Sequence, residues 1–264
     1  MALMHVNFYS EELGMCMQAD VIIPQPQQGI GVEGGDAKPP YKTLYLLHGM
    51  SDDNTIWQRR TSIERYVAPY GLAVVMPAVH LSFYTDMAWG GKFFTYVSEE
   101  LPRVMEGFFP LSAKREDRFA AGLSMGGYGA MKLGLRCPDT FAAVASLSGA
   151  LDVGEMVAQS GDRQPELNKT WEAIWGAGDQ FKGSDEDLLA LAEKLAKRKG
   201  TSQPIPKLFA WCGTEDFLFE QNHSFRDHAA KLGLELAYSE SPGDHSWGYW
   251  DEQIQQVLKW LPLK

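Results

Sequence analysis

Gly122-Leu123-Ser124-Met125-Gly126 follows an apolar run at residues 119–121 and precedes a stretch of helical spacing with Ala130, Met131 and Leu133. A strand, a tight turn with small residues around a serine, and a helix are the parts that lift a hydroxyl clear of a sheet. The same five residues can also form a glycine-rich turn with a capping serine. The strand before and the helix after favour a nucleophile. A serine hydroxyl is a weak nucleophile at neutral pH, so it needs a base within hydrogen-bond reach and a third group to fix that base.

His245, in Gly243-Asp244-His245-Ser246-Trp247, comes after the run 236–238 and before the last helical stretch, at the carboxyl end of an expected strand. His223 and His228 fall inside an amphipathic stretch, and a spacing of five does not place them on one helical face, which weakens a metal reading. For the orienting acid, Cys212-Gly213-Thr214-Glu215-Asp216-Phe217 follows the run 208–211. Asp216 ranks first because it lies deeper in the loop, and Glu215 would serve as well chemically. Asp244 ranks last, since neighbouring residues orient each other's rings poorly, and it reads as a turn residue. An attacked carbonyl becomes an oxyanion that needs two backbone N–H donors. Met125, directly after the serine, supplies one, and Met50, in His48-Gly49-Met50 after the run 44–47, supplies the other. His48 is read as a buried imidazole bracing that loop.

These side chains need a scaffold that brings distant loops to one edge. Apolar runs of strand length at 44–47, 72–76, 119–123, 142–147, 208–211 and 236–238 alternate with helical stretches at 55–68, 99–109, 127–135, 185–198, 219–232 and 251–260. Runs apolar on both faces describe strands covered on both sides, hence an α/β fold with a mostly parallel sheet flanked by helices. Residues 5–10 and 17–23 read as an antiparallel pair at one edge. Residues 25–40 read as a loop, with Gly34-Gly35 and Pro39-Pro40 as breakers. Residues 152–181 lack a clean period, carry Trp171 and Trp175, are interrupted by Gly154, Gly161, Pro165 and Gly176, and read as an insertion of lid-like position.

At 264 residues the chain fits one such domain, 1–264. A net charge of −10 without a Lys/Arg run excludes nucleic acid and anionic membrane surfaces as partners. The cations Lys197, Arg198 and Lys199 sit at a helix end, where they complement the dipole. No apolar run is long enough to span a bilayer. The first residues hold no basic cluster with an apolar stretch, so the expected location is the cytoplasm. Cys16, Cys137 and Cys212 are odd in number and form no C-x-x-C pair, and are expected to be reduced, buried small hydrophobes. No metal or organic cofactor is expected, and a homo-oligomer is compatible with the sequence.

Four motifs occur in order along nearly the whole chain: Leu46-Leu47-His48-Gly49-Met50 with Trp57, Gly122 to Ala130 with Ser124 inside it, Gly213-Thr214-Glu215-Asp216, and Gly243-Asp244-His245. Together they resemble the esterase D group of serine esterases, closest to its tributyrin-esterase branch of acetyl and feruloyl esterases. The S-formylglutathione hydrolases and antigen 85 acyltransferases are more distant. The resemblance implies an α/β-hydrolase fold, a triad of Ser124, Asp216 and His245, oxyanion donors Met50 and Met125, and a short-chain ester as small-molecule substrate, including acetylated or feruloylated carbohydrate. Leu123 and Tyr128 stand where the formylglutathione enzymes usually have histidine, which argues against that thioester. Rival readings are an acyltransferase and a catalytically silent fold that binds a ligand. Trp57 and Trp247, with Phe83, Tyr84 and Trp89 near the same rim, are candidates to line the substrate pocket, although large aromatics are usually core.

Overall fold

The computed structural model describes every residue except 26–27, 31, 34–36, 155–156, 158–164, 178–179 and 264. Its centre is β5 (Thr43–Leu47), in which every side chain is buried. Alternation sends Leu44 and Leu46 into one core and Tyr45 and Leu47 into the other, so helices must cover both faces. Around it lie β1 (Ala2–Ser10), β2 (Met15–Ile23), β6 (Ala73–Pro77), β7 (Arg118–Leu123), β8 (Ala143–Leu147), β9 (Lys207–Gly213) and β10 (Leu236–Ser241). The sheet of eight runs in the order β1-β2-β6-β5-β7-β8-β9-β10. It is parallel from β6 to β10, whereas β1 pairs antiparallel with β2 and β2 with β6. The alternation of runs predicts this mostly parallel sheet, and the family resemblance implies its α/β-hydrolase type.

One face carries α1 (Ile56–Arg60), α2 (Ile63–Val67) and the terminal helix α9 (Trp247–Trp260). The other carries α3 (Phe93–Thr95), which passes through a wider π turn at Tyr96–Glu100 into α4 (Leu101–Phe108). The same face holds α5 (Met125–Arg136), α6 (Pro165–Trp175), α7 (Leu188–Ala196) and α8 (Phe219–Lys231). From β5 the chain moves first to β6 on one side and then to β7 on the other, so strand order reverses between β5 and β7. Open α/β sheets hold their ligands in the crevice outside the carboxyl ends of strands at such a switch point. Gly49 and Ser124 stand there.

Several expectations change. The single helix expected over 55–68 is two, because Thr61 turns extended, with φ −135° and ψ 174°. Its hydroxyl donates to the Trp57 carbonyl at 2.5 Å and accepts from Ile63 N–H at 3.1 Å, a local side-chain competition with helix bonding. The stretch 152–181, expected to be irregular, contains α6, whose Trp171 and Trp175 are buried against Phe83. Its last carbonyls are capped from outside: Ala88 N–H donates to Ile174 O at 3.0 Å and Trp89 N–H to Ala173 O at 2.9 Å. Gly161 lies outside the described residues, as do Gly34 and Gly35. In the 25–40 loop, β3 (Gln28–Gly29) pairs with β4 (Val32–Glu33). Of the cysteines, all free, only Cys212 is buried, while Cys137 is half-buried and Cys16 exposed. Among the described residues no helix is long and apolar enough to cross a membrane.

Candidate active site

Ser124 joins β7 to α5 with φ 52° and ψ −119°, a left-handed conformation that a side chain adopts only where its surroundings force it. The forcing is visible in the two flanking glycines. A Cβ on Gly122 would lie 2.3 Å from Gly126 O, and one on Gly126 would lie 2.5 Å from Leu47 O and 2.7 Å from His48 O. The elbow therefore closes only with glycine at both places. Ser124 N–H donates to Leu147 O at 3.0 Å, which locks the turn to β8.

As the first residue of α5, Met125 carries one of the amide N–H groups that a helix leaves without an internal acceptor. Beside it runs the loop after β5: a Cβ on Gly49 would come 2.8 Å from Leu123 Cδ1 and 3.8 Å from Ser124 Cβ, so the backbone leading into Met50 abuts the serine. This loop is braced on all sides. Trp57 Nε1 donates to Leu47 O at 3.0 Å, Tyr84 O–H to His48 O at 2.9 Å, and Val79 N–H to His48 Nε2 at 3.1 Å. Because Nε2 accepts, the proton sits on Nδ1, which donates to Gly49 O at 2.7 Å. Burial pushes the His48 pKa down to about 4, so the ring stays neutral at ordinary pH, as a bracing role requires.

The acid and base come from the loops after β9 and β10. Asp216 is buried, and its two carboxylate oxygens lie 3.0 and 2.9 Å from His245 Nδ1, which directs Nε2 away from the acid. Leu218 N–H donates to the same carboxylate at 2.9 Å. Glu215 makes no such contact. It accepts Gly243 N–H at 2.6 Å and the Thr214 hydroxyl at 2.8 Å, and the Gly243 bond holds its carboxyl below the usual carboxylate range. Asp244 is exposed. The imidazole of His245 also packs against two rings: Trp250, buried, at 4.8 Å and 86°, and Phe217, largely exposed, at 4.4 Å and 47°. Trp250 is in turn fixed by Nε1 donating to Ser148 Oγ at 3.1 Å.

The rim aromatics divide. Trp57 is 1% exposed with its indole N–H committed to Leu47 O, so it supports the loop after β5 and offers no surface to a substrate. Phe83 and Tyr84 are likewise buried, although Trp89 is exposed. Trp247 is half-buried, its ring 5.1 Å from Trp57 and 5.3 Å from Trp250. Phe217 is a feature that the sequence reading missed; the available signal was an apolar side chain directly after the acid in a loop. Lys132, in the middle of α5, was also missed. It is fully buried, donates to Tyr84 O at 3.1 Å and Thr85 Oγ1 at 3.0 Å, and pairs with Glu186. Burial lowers its pKa to about 8. Among the described residues no group of three or more His, Cys, Asp or Glu is placed to hold a metal ion.

A hydroxyl on a strained elbow at a helix N-terminus and a carboxylate-fixed imidazole are a set suited to acyl transfer through a covalent intermediate. The family described as "Putative esterase" matches residues 10–261. An acetyl esterase of Caldicellulosiruptor saccharolyticus is 31% identical over 264 residues, covering 99% of this chain and 98% of that protein. Two structures from Staphylococcus aureus superpose over 100% of the chain. The fluorophosphonate-binding serine hydrolase FphF is 35% identical with a TM-score of 0.87 and 98% of its own chain covered. The S-formylglutathione hydrolase FrmB is 36% identical with a TM-score of 0.84 and 99% covered. Matched by the family and by these relatives over almost its entire length, the chain belongs to the esterase family and is a carboxylic ester hydrolase.

Proposed function

We propose that the chain is a serine esterase for short acyl groups, acetyl to butyryl, with Ser124 as nucleophile, His245 as general base, Asp216 as the orienting acid, and the N–H groups of Met50 and Met125 as oxyanion donors. Ser124 Oγ attacks the ester carbonyl carbon while His245 Nε2 takes its proton. The C–O bond to the alcohol then breaks and His245 returns the proton to the departing oxygen. Water attacks the acyl-enzyme, its proton passes to His245, and Ser124 leaves with that proton as the carboxylic acid forms. Asp216 orients the ring and stabilises the imidazolium.

The observation that carries this reading is the double contact of Asp216 with His245 Nδ1, on loops at the same edge of the sheet as the strained Ser124. The acetyl esterase relative supports a small acyl group. A thioester of formic acid is the second reading, favoured by the likeness to FrmB despite Leu123 and Tyr128. Three free cysteines support a reducing compartment, consistent with the cytoplasm. The deciding experiment is turnover of p-nitrophenyl acyl esters, acetylated xylan, methyl ferulate and S-formylglutathione, beside fluorophosphonate labelling of the native chain and Ser124→Ala. Labelling that survives Ser124→Ala would overturn the proposal.

A further inference from the structure

Phe217 is 74% exposed, yet both of its chain neighbours are buried and held. It lies between Asp216, buried and bonded to His245, and Leu218, buried and bonded through its N–H to the Asp216 carboxylate. A single exposed phenyl on a protein surface needs no explanation. This one touches the imidazole of His245, with ring centroids 4.4 Å apart, while the buried Trp250 meets the same imidazole at 86°. His245 is thus covered from within by a ring fixed to Ser148, and from without by a ring that leaves most of its own surface open.

The reaction fixes what comes next to that surface. If His245 returns its proton to the departing alcohol, as proposed above, the alcohol oxygen must come within about 3 Å of Nε2. The carbons attached to that oxygen then lie within a ring's breadth of whatever touches the imidazole. We infer that Phe217 is the contact for the alcohol half of the ester, and that it selects flat apolar alcohols, aryl ones first, over small alkyl ones. A phenyl ring has no hydrogen-bonding group with which to choose a sugar hydroxyl or a charged alcohol, and its contribution comes from apolar area and ring stacking. The inference rests on the triad reading. Phe217 acts on the reaction by placing the leaving group, and the proton transfers stay with His245.

The test compares the native chain, Phe217→Leu and Phe217→Ala on phenyl acetate and methyl acetate, which share the acyl half and therefore the same acyl-enzyme. The quantity read is the ratio of kcat/KM for the aryl ester to that for the methyl ester, in which intrinsic differences between the two esters cancel across variants. The ratio is expected to fall about five- to tenfold in Phe217→Ala, as for loss of one aromatic contact, and by less in Phe217→Leu. A ratio that stays within about twofold of native in both variants, including an equal loss on both esters, would overturn the inference and leave Phe217 as packing for His245. Native chain that is not labelled by a fluorophosphonate at Ser124 would instead overturn the triad on which the inference stands.

Discussion

Glu215 and Gly243 bind each other twice: Gly243 N–H donates to Glu215 Oε2 at 2.6 Å, and Glu215 N–H donates to Gly243 O at 3.0 Å. The loop carrying the acid and the loop carrying the base are therefore fastened together one residue before Asp216 and two before His245. Glu215 is thus spent on the backbone, and Asp216 is free to hold the imidazole. Asp216→Asn is expected to lower kcat by about 10³–10⁴, because the amide no longer enforces the working tautomer. Glu215→Gln keeps an acceptor oxygen for Gly243 and should retain at least roughly a tenth of the activity. Steady-state kinetics on p-nitrophenyl acetate ranks the two, and the reverse order would exchange their roles.

Ser124→Ala should reduce ester turnover by about 10⁴–10⁶ while leaving the far-UV circular dichroism and thermal midpoint close to native. Alanine keeps the Cβ and so inherits the same elbow. Turnover within tenfold of native would exclude Ser124 as the nucleophile.

His48 gives a pH dependence of stability with a definite sign. Its pKa is about 4 in the folded chain against an ordinary 6.5, so the unfolded chain takes up the proton first as pH falls. Its contribution is fully present above about pH 6.5 and is lost progressively as pH falls to 4, to a total of about 3 kcal/mol. Urea midpoints measured across that window should decline less steeply in His48→Gln than in the native chain. Parallel declines would remove His48 as a source.

Lys132 and Glu186 should be coupled. Glu186→Gln leaves a fully buried ammonium without its counter-charge and is expected to destabilise the fold by about 3 kcal/mol. Adding Lys132→Met to it should recover much of that loss, since an unbranched apolar side chain can occupy the same channel. Chemical denaturation of the single and double variants reads the coupling directly, and simple additivity would contradict it.

For acyl length, kcat/KM on p-nitrophenyl esters is expected to peak between acetate and butyrate and to fall at least about tenfold at decanoate, or roughly 1.4 kcal/mol in the barrier. A methylene that fits contributes at most about 0.8 kcal/mol, and one that does not fit adds strain. A maximum at decanoate would turn the assignment toward a lipase.

The triad candidates were legible because each sits in a local pattern of strand, tight turn and small residues, and such patterns survive without knowledge of the fold. Choosing Asp216 over Glu215 rested on depth in the loop and on the family resemblance; what separates them is a bond from Gly243, 28 residues away, which no local pattern encodes. Trp57 misled for the opposite reason. Residue type announces a large ring but not its direction, and here it turns inward to the Leu47 carbonyl. Lys132 has no local signal of burial, because its counter-charge Glu186 lies 54 residues on. In 152–181, glycines and polar residues outweighed the spacing of Trp171, Ile174 and Trp175, so α6 went unseen.

The order of strands has a consequence for how the chain acquires its site in time. Ser124 hangs from an inner strand, β7, whereas the base follows β10, the outermost strand at the far edge, and is secured only when α9 places Trp250 under the imidazole. The bond that seats Trp250, to Ser148, joins residues 102 apart in sequence, and contacts of such separation carry a large loop-closure cost and form slowly. During refolding from denaturant, ester turnover should therefore return with the slowest phase, later than helical content, so that activity clocks the seating of the last helix and not collapse of the core.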